Sequence, residues 1–168
     1  KRQEALGAVV NNGVLYRPHI ARHVVDAKTG EKRTIEPEPL RTIPFKQSHI
    51  DLIKRAMVGV NKAGTGSRAF AGAPYEVGGK TGTAQVYSLK GGKYVEGRVA
   101  ERLRDHSWFI AFAPADKPVI ALAVLVENGG FGAQSAAPIA RQALDYYLLG
   151  KVPAGIAAED PAAEESAE

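Results

Sequence analysis

A run of six residues, Lys80 to Gln85, places a cation, two hydroxyls and a bare glycine on successive positions. If the run is an extended strand, Lys80 and Gly82 share one face of it and Thr81 and Thr83 share the other. The exposed edge of such a strand offers N–H and C=O groups to an extended peptide, and the ammonium and hydroxyls suit a carboxylate. Gly82 would leave the surface beside the ammonium uncovered, so that another backbone can approach. The run therefore predicts a peptide-binding strand; the alternative is an ordinary edge strand with a solvated lysine.

Such a strand needs neighbours that hold it in a sheet. Two near-continuous apolar runs, Trp108–Ala113 and Val119–Val126, are typical of buried strands, and Pro114–Pro118 joins them as a hairpin. The strand that carries Lys80 is predicted to run from Tyr75 to Tyr87. We therefore expect three adjacent antiparallel strands with a helix packed on one face. A polar excursion over Ser88–His106, with a short helix near its end at Val99–Arg104, separates the first strand from the hairpin.

Three helices are predicted around this sheet. Gln3–Val10 is the end of a helix stopped by Asn and Gly, and we expect the chain to continue upstream of Lys1. Ser48–Asn61 is a helix because Ser48 and Asp51 are spaced as a capping box. Its apolar face is formed by Ile50, Ile53, Met57 and Val60. The last helix opens at Pro138 and ends at Gly150, and its apolar positions at helical spacing are Ile139, Ala143, Tyr146 and Tyr147.

The segments between these elements are predicted to be turns and loops. Pro37–Pro44 is a proline-rich connector, and Gly64–Ser67 is a flexible loop. A second Lys-Thr-Gly, at Lys28–Gly30, follows an aspartate, and no apolar strand continues it. We interpret it as a turn between short outlying strands and not as part of a site.

Composition and charge limit the classes of protein to which this chain can belong. The chain has 168 residues, enough for one domain, and it lacks cysteine, which excludes disulfides and thiolate chemistry. Five of its 18 acidic residues follow Pro153 without any Lys or Arg, so residues 151–168 are predicted to be a disordered acidic tail. The remainder is basic, which suits an anionic membrane or cell wall. Nucleic acid is excluded as a partner because the chain has no aromatic-interleaved basic stripe and no known nucleic-acid motif.

Three further stretches of the sequence make the interpretation of the Lys80 run more specific. They are Ala100–His106, Ala111–Pro114 and Leu125–Gly130, in that order. Together with the Lys80 run they resemble the class B penicillin-binding proteins, the serine-type peptidoglycan D,D-transpeptidases, and within them the penicillin-binding protein 2 branch of cell elongation. The resemblance covers Glu4 to Gly150. It implies an α+β fold, with residues 1–150 as the C-terminal portion of the transpeptidase domain: part of the penicillin-binding protein/serine β-lactamase-like fold, an antiparallel sheet flanked by helices.

The resemblance implies roles for the residues of the run. Lys80 would be catalytic, holding positive charge in the cleft and tuning the hydroxyl of an S-x-N motif, and the Thr83 backbone N–H would be an oxyanion donor. Thr81 would bind the substrate carboxylate, Gly82 would permit close approach, and the Thr83 carbonyl would pair with the substrate amide. Gln85 would guide the peptide or pack locally. No cofactor and no metal is expected, because the four histidines lack ligand spacing with acids, and His106 beside Asp105 is interpreted as structural.

Two motifs of the family do not occur in this chain. No serine is followed three residues later by lysine, and no Ser-x-Asn is present, so the S-x-x-K nucleophile and the S-x-N hydroxyl are both missing. We expect the 168 residues to be inactive alone. The alternatives are a catalytically silent piece or interaction module that keeps only the sheet, and, less favoured, a serine β-lactamase.

The resemblance also implies partners and location. The ligands would be peptidoglycan stem peptides ending in D-Ala-D-Ala, and β-lactams. Protein partners would be those of the elongation complex, including a glycosyltransferase. The expected location is the periplasmic face of the bacterial inner membrane, with the membrane anchor outside this chain, because its longest apolar run is too short to span a bilayer.

Overall fold

The computed structural model describes residues 2–86 and 100–155, with the side chains of residues 2 and 3 left out. Four α-helices, seven strands and one 3-10 turn are found in these residues. In chain order they are α1 (Arg2–Val10), β1 (Val14–Tyr16), β2 (His23–Val25), β3 (Lys32–Thr34), β4 (Pro39–Thr42), α2 (Gln47–Lys62), α3 (Ser67–Phe70), β5 (Gly78–Ala84), the 3-10 turn (Glu101–Leu103), β6 (His106–Ala113), β7 (Ile120–Val126) and α4 (Ala136–Leu149).

The main sheet has the order β5-β6-β7 and is antiparallel throughout. Lys80 lies opposite Ile110, and Gly82 lies opposite Trp108. The three-stranded arrangement predicted from the sequence is confirmed, and so is the alternation that sets Lys80 and Gly82 on one face. β6 is the central strand and is mostly buried, whereas β7 is only partly buried and its Leu125 is 62% exposed. The prediction of two buried strands is thus wrong for β7, which is only partly buried.

Helices cover both faces of the sheet, not one face as predicted. Phe109 and Ala111 of β6 are fully buried in a cluster with Ala140 and Leu144 of α4. Phe112 alternates with them and pairs with Ala121 of β7, so these two residues face the other way. On that side Glu4 and Gly7 of α1 line a pocket with Ala121. The sheet is therefore the middle layer between α4 and α1.

The buried side of α4 is not the apolar set that the spacing suggested. Ile139, Tyr146 and Tyr147 are 46%, 58% and 60% exposed. The residues that face the sheet are mostly alanines, which let the helix lie close to the strands. They are Ala136, Ala137, Ala140 and Leu144, all fully buried.

α2 confirms the predicted helix, although two details of the prediction are wrong. Its first turn has no capping box, because the N-cap residue is Lys46 and makes no side-chain cap bond. The Asp51 carboxylate accepts a hydrogen bond from the Gln47 amide instead. Ile53 is exposed, and Ile50 is the apolar side chain of α2 that is fully enclosed.

Two small ribbons complete the described fold. β1 pairs with β4, so the segment predicted to be a plain connector at 37–44 contains a strand. β2 pairs with β3, as predicted for the outlying strands. The Lys28–Gly30 triplet forms their turn, in which the Asp26 carboxylate accepts the backbone N–H groups of Lys28 and Thr29. This triplet is exposed.

Several sequence predictions concern residues outside the described ranges. They are the part of the polar excursion from 88 to 99, the end of the first strand at Tyr87, the start of the short helix at Val99, and most of the acidic tail. At the edge of the excursion, the short helix is present as the 3-10 turn Glu101–Leu103. Within the described residues, no helix has the length and apolar character needed to cross a membrane.

Candidate functional site

The candidate site is the outer edge of β5. Within the described residues, no strand pairs with this edge. The Lys80 side chain is exposed, and its Nζ donates to the Thr81 carbonyl oxygen at 2.6 Å. Because an exposed ammonium reaches that oxygen, the Thr81 carbonyl points away from β6, toward the outer edge of the sheet. The edge thus presents a positive charge next to backbone groups that no described strand pairs with.

The hydroxyls of Thr65 and Thr81 meet at this edge. Their oxygens are 2.7 Å apart and hydrogen-bonded, with either oxygen able to donate. Thr65 belongs to the segment predicted to be a flexible loop, so sequence reasoning missed it. The Gly64–Ser67 segment instead lies against the site and adds a second hydroxyl to the one that the motif supplies.

Asn61 at the end of α2 fixes this loop against β5. Its side-chain amide donates to the Val77 carbonyl at 2.9 Å, and the residue is only 7% exposed. Gly66 packs so closely on the Asn61 amide oxygen that a Cβ at Gly66 would collide with it. The Val77 carbonyl lies just before β5, so this hydrogen bond joins the end of α2 to the start of that strand. The Thr65 hydroxyl is therefore held by packing, and the sequence signal for it was the glycine on either side.

Gly82 is covered by the indole of Trp108. The two residues face each other across β5 and β6, and a Cβ at Gly82 would occupy the space of the indole ring. The prediction that Gly82 leaves an uncovered surface is wrong on this face, because a side chain of the same chain fills the space. Glycine is required here for packing within the sheet.

The Thr83 N–H points toward the edge of β5 that no described strand pairs with. One point, where a Cβ at Gly132 would lie, is 2.5 Å from the Trp108 carbonyl oxygen and 2.6 Å from the Gly82 carbonyl oxygen. Because both oxygens lie so close to one point, the Gly82 and Trp108 carbonyls lie between β5 and β6, as in a hydrogen-bonded antiparallel pair. The peptide plane sets the Thr83 N–H antiparallel to the Gly82 carbonyl. The N–H therefore faces away from β6.

Gln85 follows the last residue of β5 and is exposed. It lies beyond the Lys80–Thr83 segment, and no described contact joins its side chain to the other residues of the site. The next residue is anchored, since the Val86 N–H donates to the Asp105 carboxylate at 3.3 Å.

The described contacts of His106 join it to the loop after β7. The His106 Nδ1 accepts the backbone N–H of Asn128 at 2.9 Å, and the Asn128 amide donates to the Arg104 carbonyl at 3.0 Å. Asp105 is 5% exposed. These bonds tie the start of β6 to the loop after β7, in keeping with the structural interpretation of His106.

A polar cluster of Tyr75, Arg141 and Asp145 connects α4 to the segment before β5. The Asp145 carboxylate of α4 accepts hydrogen bonds from the Tyr75 hydroxyl at 2.5 Å and from Arg141 Nε at 2.8 Å. Burial alone would raise the pKa of Asp145, but these hydrogen bonds outweigh it and hold that pKa below its ordinary value. Burial and the neighbouring carboxylate raise the pKa of the Tyr75 hydroxyl. Arg141 also donates to the Ala71 carbonyl, so the cluster joins α4 to the segment before β5.

The chemistry of the edge suits an anion and an extended peptide. Lys80 and the Thr65–Thr81 hydroxyl pair can bind a carboxylate, and the Thr83 N–H can donate to a carbonyl oxygen that develops negative charge. In the part of the chain that the structure describes, no three His, Cys, Asp or Glu side chains are grouped to hold a metal ion.

Comparison with protein families decides the family. Residues 3–145 match the model of the penicillin binding protein transpeptidase domain. The chain belongs to this family. The α+β fold predicted from the resemblance is confirmed by the layers described above and by the solved structures that match.

The relatives with curated names are longer than this chain. The peptidoglycan D,D-transpeptidase MrdA of Haemophilus influenzae is 40% identical over 158 residues, which is 89% of this chain and 23% of that relative. This chain therefore spans less than a quarter of that relative's length. MrdA of Acinetobacter baumannii is 45% identical over 135 residues, 78% of this chain and 20% of the relative.

Solved structures give the same match in three dimensions. The crystal structure of Pseudomonas aeruginosa PBP2 in complex with WCK 5153 has a TM-score of 0.64 and 34% identity, over 89% of this chain and 31% of that one. The imipenem acyl-enzyme complex of penicillin-binding protein A from M. tuberculosis has a TM-score of 0.68 and 28% identity, over 87% of this chain and 29% of that one.

Proposed function

We propose that this chain is the C-terminal part of a peptidoglycan D,D-transpeptidase of the penicillin-binding protein 2 type, and that it supplies one wall of the active site. The observation that carries the proposal is the Thr65–Thr81 hydroxyl pair, 2.7 Å apart, beside the exposed Lys80 on a strand edge that no described strand pairs with. The similarity to the MrdA proteins, named as D,D-transpeptidases, supports the same reaction.

In this proposal the edge of β5 binds the end of the donor peptide. The Thr81 hydroxyl donates to the terminal carboxylate of a D-Ala-D-Ala stem peptide or to the carboxylate of a β-lactam, and Thr65 orients it. Lys80 supplies positive charge to the cleft and stabilises the carboxylate. The Thr83 N–H donates to the oxyanion of the tetrahedral intermediate, and the Thr83 carbonyl pairs with the substrate amide. Gln85 lies too far along the strand for the chemical step, and we assign it to guiding the peptide.

The nucleophile belongs to another segment of the proposed enzyme. Its serine attacks the carbonyl of the penultimate D-Ala, the tetrahedral intermediate expels the terminal D-Ala, and an acyl-enzyme ester forms. The acceptor amine of a second stem peptide then attacks the ester and releases the serine. A β-lactam takes the place of the donor and leaves a stable ester. Since no S-x-x-K occurs in the sequence, we infer that the 168 residues alone do not carry out this reaction.

The setting follows from the substrate. Stem peptides are cross-linked outside the cytoplasmic membrane, so we place the enzyme at the periplasmic face of the inner membrane. Its protein partners would be those of the elongation complex, including a glycosyltransferase that makes the glycan strand. The basic surface of residues 1–150 suits anionic headgroups and wall polymers.

The test is acylation of the full-length protein by a penicillin after substitution of Thr81. Thr81→Val keeps the shape of the side chain and removes the hydroxyl, so a charge-assisted hydrogen bond worth about 1.5–3 kcal/mol is lost. The second-order acylation rate should fall roughly 10- to 150-fold. Thr81→Ser keeps the hydroxyl and should cost much less. Equal rates for the two variants would show that the hydroxyl does not bind the carboxylate.

A further inference from the structure

The backbone of Gly82 is enclosed from both faces of the sheet. The Trp108 indole covers one face, as described above. On the other face lies Gly132, and a Cβ there would be 2.5 Å from the Trp108 carbonyl oxygen, 2.6 Å from the Gly82 carbonyl oxygen and 3.0 Å from the Gly82 nitrogen. All three are backbone atoms and cannot turn aside as a side chain can. Gly132 therefore packs directly on the backbone of Gly82, including the carbonyl of the peptide group that joins Gly82 to Thr83.

The loop that carries Gly132 is itself fixed by hydrogen bonds at both ends. At its start, Asn128 has a φ of +54°, and its backbone N–H and side-chain amide bond to His106 and Arg104 respectively. The Gly130 N–H donates to the Asp105 carbonyl at 2.8 Å. Further hydrogen bonds close the loop on α4: from the Ser135 hydroxyl to the Gly129 carbonyl at 2.5 Å, and from the Ala137 N–H to the Gly132 carbonyl at 2.9 Å.

These contacts act on one peptide plane. The Gly82 carbonyl and the Thr83 N–H belong to the same planar, trans peptide group, so the position of the carbonyl sets the direction of the N–H. A Cβ at Gly132 would collide with the carbonyl end of that plane, and the opposite end carries the N–H that faces the outer edge of β5. We therefore expect a displacement of the Gly82 carbonyl by Gly132 to change the direction of the Thr83 N–H.

We propose that the loop Asn128–Gly132 is a positioning element of the active site, and that Gly132 sets the direction of the Thr83 N–H. The inference rests on the proposed function, because the N–H matters only if it meets an oxyanion. Gly132 and Ser135 are positioning residues in this account: neither touches the substrate. Their effect belongs to the chemical step, since donors of this kind stabilise charge that develops in the transition state.

The experiment measures the acylation of the full-length protein by a penicillin in two parts, the dissociation constant of the encounter complex and the rate of the chemical step. Gly132→Ala must displace backbone atoms, and we expect the chemical step to slow by roughly 10- to 100-fold, as for a reacting group misplaced by up to an ångström. The dissociation constant should stay within about threefold, because the atoms nearest the added Cβ are backbone atoms of Gly82 and Trp108 and not the Thr81 side chain that binds the carboxylate. Gly59→Ala is the control, since nothing lies within 4 Å of a Cβ at Gly59.

A spectroscopic measurement separates positioning from general instability. Hydrogen bonds to the ester carbonyl of the acyl-enzyme lower its infrared stretching frequency, so Gly132→Ala should raise that frequency and Gly59→Ala should leave it unchanged. Ser135→Ala removes the hydrogen bond that closes the loop, so it should slow the chemical step and raise the carbonyl frequency by smaller amounts than Gly132→Ala does. It serves as the test variant if Gly132→Ala does not fold. An unchanged chemical step and carbonyl frequency in a folded variant would overturn the inference. Failure of the unsubstituted protein to be acylated would instead overturn the proposed function.

Discussion

The hydroxyl oxygens of Thr65 and Thr81 lie 2.7 Å apart, although 16 residues separate them in the chain. The Thr81 hydroxyl is therefore not free to rotate in solvent, as it would be on an ordinary edge strand. A hydroxyl can donate one hydrogen and accept two. With Thr65 as its partner, the Thr81 hydroxyl can donate to a bound carboxylate while it accepts from Thr65.

Substitution of Thr65 tests this arrangement. Thr65→Val removes the hydroxyl that orients Thr81, and the loss of one neutral hydrogen bond should cost about 0.5–1.5 kcal/mol. The second-order rate of acylation of the full-length protein should therefore fall roughly 2- to 12-fold. Thr65→Ser restores the donor and should recover most of the rate. If the valine variant is acylated as fast as the serine variant, Thr65 has no part in the site.

Gly82 and Trp108 are expected to be coupled in stability. Gly82→Ala puts a methyl group into the space of the indole, and overpacking of this kind costs roughly 1–3 kcal/mol. Trp108→Leu opens that space, so Gly82→Ala should cost much less when it is combined with Trp108→Leu. Free energies of unfolding of the four proteins form a double-mutant cycle. Costs that simply add would contradict the contact, and Gly59→Ala again serves as the matched glycine control.

The central sheet could be predicted because its signals are local. The apolar runs around Phe109 and Val124 are strand patterns, and the alternation of Lys80 and Gly82 follows from strand geometry alone. The parts that failed depend on distant packing. Ile139 and Tyr146 have the spacing of a core-facing stripe, yet the alanines face the sheet because α4 lies too close to it for larger side chains.

The candidate site could be predicted only in part, because some of its residues belong to a local motif and others depend on distant packing. The residues from Lys80 to Thr83 form a motif that is visible in the sequence. Thr65 and Gly132 are not visible, because each acts through a contact across a long stretch of chain: one with Thr81, the other with the Gly82 peptide group. A glycine-rich segment indicates a loop, and only the fold shows that the loop packs on the site.

The Tyr75–Asp145–Arg141 cluster should make stability depend on pH. The pKa of Asp145 is lowered in the folded protein from its ordinary value of 3.8, so its contribution is present above that pH and is lost as the pH falls through the folded pKa. Asp145→Asn should lower the free energy of unfolding by about 1.5–3 kcal/mol at pH 7. The difference from the unsubstituted protein should shrink below about pH 4.

Denaturant unfolding at several pH values measures this difference. Glu38→Gln is the control, since the Arg17–Glu38 ion pair is exposed on both sides and such pairs contribute little. A difference between Asp145→Asn and the unsubstituted protein that stays constant from pH 7 to pH 3 would show that the carboxylate charge is not what stabilises the cluster.

In the proposed enzyme this chain forms one wall of a transpeptidase site, and the nucleophile lies in another segment. The most direct measurement is the intact mass of the full-length protein and of the isolated 168-residue chain after incubation with a penicillin, followed by peptide mapping of the adduct. We expect one acyl adduct on the full-length protein, on a serine outside these 168 residues, and none on the isolated chain. A stable adduct on a serine of this chain, or none on the full-length protein, would contradict the account.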